Sequence, residues 1–213
     1  MSTSAVPDCP TMELHEAIRR RAIVRSFSAD PVEPAVLDRI LRSALRSPTA
    51  GNTRGTAWVV LEGPEQTAVY FDTTTDEEWR DHYKDWSDGL ARAPVVLLAY
   101  TSPDAYVARY AEADKASAGL GAGEDAWPVP YWIGDAAFGV MAVLLGAVDA
   151  GLGGCILGTF RGEAELAGRL GVPAGWRLFC AVLLGRPDGR DHRSASLDRT
   201  GATVAERIHR GAW

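Results

Sequence analysis

"DAAFGVMAVLLGAVDAGLGGCILGTF", residues 135–160, is the stretch on which the fold turns. Asp135 reads as the cap of a helix that is apolar nearly all round and closes at Gly151, so that helix belongs in a core or in a dimer interface. The glycines after it lead into "GCILG" (154–158), a short apolar run of the kind expected for a sheet strand covered on both faces. Three further runs have the same character: "AWVVLE" (57–62), "PVVLLAY" (94–100) and "RLFCAVLLG" (177–185). Helical spacing marks the segments between them. Leu14, Ala17 and Ile18 share a face behind Thr11 as a cap, and Val36, Leu37, Ile40, Leu41, Ala44 and Leu45 stripe a helix with Pro34 in its first turn. Ser47-Pro48 ends that second helix. "EAELAGRLG" (163–171) predicts a last full helix, and the tail "VAERIHRGAW" keeps Ile208 and Trp213.

Composition bounds the function. A chain of 213 residues, 46% hydrophobic, suits one domain with a real core. A net charge of -6 argues against non-specific nucleic-acid binding, although a local basic patch can hold a small anion. The apolar run Ala136 to Val148 is short for a membrane span, and Met1 to Pro10 lacks the pattern of a signal peptide, so a cytoplasmic protein is expected. Cys9, Cys155 and Cys180 are odd in number and far apart, which predicts free buried thiols rather than disulfides or a metal site. No G-x-G-x-x-G follows a strand, and no Walker A, H-E-x-x-H or G-x-S-x-G occurs; the four histidines are scattered. Any catalysis then falls to a cofactor.

Three segments carry the remaining signal. "RRRAIVRSF" (19–27) is a knot of guanidinium groups that, alone, reads as a solvated helix end. "SPTAGNTRG" (47–55) is a loop of small polar residues whose amides can meet a ligand, and "AGLGGCILGTF" (150–160) lets a flat group approach the backbone. In this order, with R-x-x-x-R-x-F at 21–27, P-[ST]-x-x-N at 48–52, Trp58, the apolar helix, G-L-G and "LLGRP", the chain resembles the FMN-dependent nitroreductase family across almost its whole length.

The resemblance implies an α+β fold, a three-layer α/β/α sandwich around a mostly antiparallel sheet, in an intertwined homodimer with FMN at the interface. The chain would be a single FMN-binding domain over 1–213 with a variable substrate region at about 66–133. It implies Arg21 at the FMN phosphate, Arg25 toward the flavin pyrimidine edge, and the backbone of Ala22 and Ile23 along the same strip. Pro48, Thr49, Ala50 and Asn52 would reach FMN from the partner chain, and Ile156, Leu157, Gly158 and Thr159 match the segment whose backbone amide, at Gly158, faces flavin N5. No side chain is expected to act as a catalytic acid or base. Ile23 stands where the family often has Ser, and Arg54-Gly55 where it often has Gln-Pro; Arg54 either adds charge near the flavin or faces solvent. Arg190, Arg193 and Arg199 are candidates for a further phosphate contact, with Arg199 the expected one. Trp127, Tyr131 and Trp132 form a Pro-stiffened aromatic segment expected to act as a substrate platform, while Asp72, Asp76, Glu77, Glu78, Asp81 and Asp85 read as a solvated face. The implied activity is electron transfer from NAD(P)H to a flat nitroaromatic or quinone acceptor by a ping-pong mechanism. Oxidation of a natural product and simple flavin storage are the alternatives.

Overall fold

The computed structural model describes residues 12–213 except 193, 195–197, 199, 200 and 202, together with the backbone but not the side chain of Asp85. Thr11, Cys9, Arg193 and Arg199 therefore lie outside the described residues. In chain order the elements are α1 (Leu14–Arg20), α2 (Pro34–Ala44), β1 (Thr56–Glu62), α3 (Gly63–Thr74), α4 (Glu77–His82), α5 (Lys84–Ala91), β2 (Val95–Thr101), α6 (Pro103–Ala111), α7 (Tyr131–Asp149), β3 (Gly153–Leu157), α8 (Glu163–Leu170), β4 (Arg177–Gly185) and α9 (Val204–Arg207).

The four apolar runs are the four strands, ordered β1-β2-β4-β3, and every pairing is antiparallel. Successive side chains of a strand point to opposite faces, and both faces here are covered. Val95, Leu97 and Ala99 of β2 with Cys180, Val182 and Leu184 of β4 meet Leu37 and Ile40 of α2 and Val140, Val143 and Leu144 of α7. Val96, Leu98 and Tyr100 with Ala181 and Leu183 meet Tyr70 and Phe71 of α3, Leu90 of α5 and Leu166 of α8. The result is the three-layer α/β/α sandwich.

Helix α7 corrects one expectation. Asp135 is not its cap: the helix begins four residues earlier at Tyr131, behind Pro130, whose fixed φ suits a helix start. Asp135 sits in the second turn and is 4% exposed. The inner stripe of α7 packs on the sheet, whereas Phe138 and Met141 remain exposed, as do Leu14 and Ile18 of the adjacent α1. Length and composition alone would let α7 cross a membrane. Its packing against the sheet explains the same composition as that of a core helix.

A parallel bridge between Ile23 and Gly154 attaches the arginine segment to the edge of β3, where the Val24 N–H donates to the Gly154 carbonyl at 3.0 Å. Glycine is needed for this approach. A Cβ on Gly153 would lie 2.5 Å from a Val24 methyl.

Candidate functional site

Of the arginine knot, Arg19 and Arg20 both pair with Glu16 one turn back, Arg19 in a two-pronged contact at 2.7 and 2.8 Å. Hydrogen bonds from Arg19, then Arg20, hold the Glu16 carboxyl down at about 2. Arg21 begins the extended segment after α1, and among the described residues no carboxylate pairs with it. Arg25 lays its guanidinium over the Trp86 ring, 4.8 Å from the centroid, while its N–H donates to Asp191.

Asp188 ties the far end of this strip down, accepting from Ser26, Arg92 and Arg190. Arg190 is thereby engaged in holding the strip. Partial burial would raise the Asp188 carboxyl, but the Arg190 amide, the Ser26 hydroxyl and the Arg190 guanidinium outweigh it and keep it at about 2. A carboxyl depressed on folding stabilises the folded state above its unfolded value of 3.8, and that contribution is lost as pH falls from there toward about 2. Tryptophan fluorescence should thus report an acid transition of the Arg25–Trp86 contact in that window. Asp188→Asn should already show the disturbed spectrum at neutral pH.

Arg25 and residues 155–159 form one side of a cavity of about 480 Å³; Trp79, Tyr83 and Trp86 of α4–α5 form another. Tyr83 and Trp86 stack at an interplanar angle of 19°. The Trp86 Nε1 donor is buried and has no acceptor among the described residues. Thr159 Oγ1 lies 3.4 Å from the Tyr70 hydroxyl, and Phe160 beside Gly158 is 96% exposed. Cys155 is free and lies at the cavity, but burial pushes its thiol up to about 11, so it stays protonated at neutral pH. Cys180, also free and buried, goes the same way, to about 12.

Pro48, Thr49, Asn52 and Arg54 are elsewhere. They line a second cavity of about 540 Å³ that shares no residue with the first. Ala50 turns its N–H into the protein, onto Asp135. Arg21, Ala22 and Ile23 line neither cavity and run beside β3 on the strip that carries Arg25. The sequence-picked residues thus form two clusters at separate places on one chain.

The aromatic segment 127–132 is mostly core. Trp127 and Trp132 are 7% and 6% exposed, packed edge-on against Tyr106, and only Tyr131, at 49%, offers a ring to the outside. As they stand, the two tryptophans cannot present a platform, because α6 and the 3-10 turns after it cover them. The cavity's aromatic wall instead comes from Trp79, Tyr83 and Trp86, whose spacing places them on neighbouring helical turns. From the sequence Asp135 reads only as a helix cap, and nothing there points to its bond with the 49–54 loop.

This donor set fits a flavin phosphate ester. A guanidinium without a carboxylate suits a phosphate, and an aromatic-walled cavity with a buried N–H lacking an acceptor suits a flat heterocycle.

The sequence model of the nitroreductase family matches residues 18–186. Among solved structures, nitroreductase CinD from Lactococcus lactis, in complex with nicotinic acid, superposes with a TM-score of 0.74 at 16% identity, covering 93% of this chain and 100% of its own. A nitroreductase family protein from Streptococcus pneumoniae gives 0.71 at 18% identity over 93% and 100%. A Desulfovibrio desulfuricans protein in complex with FMN gives 0.66 at 18% over 95% and 98%.

Proposed function

The chain belongs to the nitroreductase family, and from that membership we propose that it is an FMN-dependent oxidoreductase, a single flavin-binding domain working as a cytoplasmic homodimer. It passes electrons from NAD(P)H to a flat electron-poor acceptor, nitroaromatic or quinone, in ping-pong fashion. The observation that carries this reading is the separation of the family-matching residues into two clusters on one chain, one on the Arg21–Arg25 strip and its cavity, the other on the 48–54 loop and the second cavity. Two copies facing each other complete the site: the Arg21–Arg25 strip and residues 156–159 from one, Pro48, Thr49, Ala50, Asn52 and Arg54 from the other.

FMN, when bound, supplies the redox chemistry that no side chain here offers. Arg21 holds the phosphate, and Arg199 is the proposed second contact to it. Arg25 keeps a permanent positive charge beside the cavity, which favours extra electron density on a ring placed there. The backbone of Ile156 to Thr159, with Gly158 central, aims donors at the reacting edge. Tyr131, half exposed, is the acceptor-side aromatic residue of the three first considered.

The copies meet through Leu14, Ile18, Phe138 and Met141 and through a tail in which Trp213 is fully exposed. Deleting residues 203–213 should lower dimer content and flavin occupancy together, as read by light scattering and by absorbance near 450 nm, the usual flavin band. A truncated monomer with undiminished flavin would contradict the shared site.

Enzyme activity is tested by NADH and NADPH oxidation with and without a quinone after loading with FMN. Parallel double-reciprocal lines are expected. Intersecting lines would exclude the ping-pong order, and absence of any turnover would leave a flavin-binding protein without this activity.

A further inference from the structure

The loop that brings Thr49 and Asn52 to the second cavity has an unusual backbone. Asn52 and Arg54 both take positive φ, 54° and 56°, a region that asparagine tolerates but that arginine occupies only when its surroundings hold it there. Those surroundings are identifiable. Asp135 Oδ2 accepts the Ala50 N–H at 2.7 Å and the Tyr106 hydroxyl at 2.8 Å. At the next residue Arg109 Nε donates to the Gly51 carbonyl at 2.9 Å, while its two terminal nitrogens grip Asp114 at 2.7 Å each. The loop is therefore pinned on a donor and on an acceptor at consecutive residues.

Resting on the FMN reading above, we infer that Asp135 is a positioning residue which, supported by Tyr106 and Arg109, holds the 49–54 loop in the geometry that meets the flavin. A carboxylate in the second turn of an apolar helix is a poor choice for the helix and a costly group to bury, so a partner elsewhere must justify it. The Ala50 amide is that partner. Trp127 and Trp132 find their place here as well, since both pack edge-on against the Tyr106 ring, at centroid distances of 6.0 and 6.1 Å, and against each other. Burial, then the hydrogen bond to Asp135, pushes the Tyr106 hydroxyl up in pKa, which keeps it a donor at every working pH. The loop is ordered before the flavin arrives, so binding does not have to order it.

The test uses the full-length protein with FMN and riboflavin as probes. Asp135→Ala should weaken both flavins by the same factor, about tenfold or more, because the loop does not depend on the phosphate. At saturating flavin it should also alter the visible circular dichroism of the bound ring, which a loss of global stability alone would leave intact. Asp135→Asn retains an oxygen for the Ala50 amide and should stay within roughly threefold of the native protein with a native spectrum. Asp135→Ala binding within about twofold of native, or weaker binding with an unaltered spectrum, would overturn the inference. Should that variant fail to fold, Arg109→Ala, which cuts the loop's other anchor, decides by the same two readouts. A native protein that binds neither flavin would bring down the FMN reading itself, whereas native binding unaffected by Asp135→Ala brings down only this one.

Discussion

Arg21→Ala weakens FMN binding by about 1.5–3 kcal/mol, roughly 10- to 150-fold, and leaves riboflavin binding where it was. The expectation follows from how the knot is divided. Arg19 and Arg20 share the Glu16 carboxylate, and Arg25 lies over Trp86, so Arg21 alone among the four has neither a carboxylate nor an aromatic partner among the described residues. A guanidinium without a carboxylate gives its full charge-assisted contact to a phosphate. Riboflavin has no phosphate to lose. Arg19→Ala only opens a solvent-exposed pair and should alter neither flavin. Titrations followed by flavin fluorescence read all four combinations, and an Arg21→Ala variant that loses riboflavin as strongly as FMN contradicts the assignment.

Gly162→Ala should destabilise the protein by about 2–4 kcal/mol, the sum of left-handed backbone strain and overpacking. Gly162 has φ of 70°, and a Cβ there would lie 2.1 Å from the Thr73 carbonyl oxygen at the end of α3. Backbone cannot swing aside as a side chain can. Gly162 also leads α8, whose Leu166 is fully buried in the core beside Tyr70, so any displacement reaches the cavity wall. Gly168 is the internal control: it lies within α8 with open space around it, and Gly168→Ala should gain about 0.5–1 kcal/mol. Urea midpoints of the two apo variants, at unchanged m, should therefore move in opposite directions.

The strands were legible because each is an apolar run with glycine or proline at its edge, and a strand covered on both faces needs nothing more specific. Helices α2 and α8 were equally plain from Pro34 and Gly171. The start of α7 was not, because an Asp before an apolar run looks like a cap, and only the distant Ala50 amide explains why that Asp is inside the helix. The arginine knot became informative only through its order with the other two segments; which arginine is unengaged depends on Glu16 and Trp86, and the Trp86 contact joins residues far apart in the chain. The aromatic wall of the cavity was hidden for another reason. Trp79, Tyr83 and Trp86 are interspersed with acidic residues, which read as a solvated face, while the denser "WPVPYW" proved to be packing around Tyr106.

The shared site is tested most directly by complementation between two defective chains. One carries Arg21→Ala and the other Thr49→Ala with Asn52→Ala, each with its own affinity tag, and the mixed dimer is isolated by sequential purification. FMN is supplied at a concentration that fills the native dimer but neither mutant homodimer. If each site takes its phosphate strip from one copy and its loop from the other, the mixed dimer has one site with both defects and one with none. It should bind one FMN for every two chains, with native affinity. A mixed dimer that binds no FMN under these conditions would show that each site lies within a single chain and would contradict the shared site.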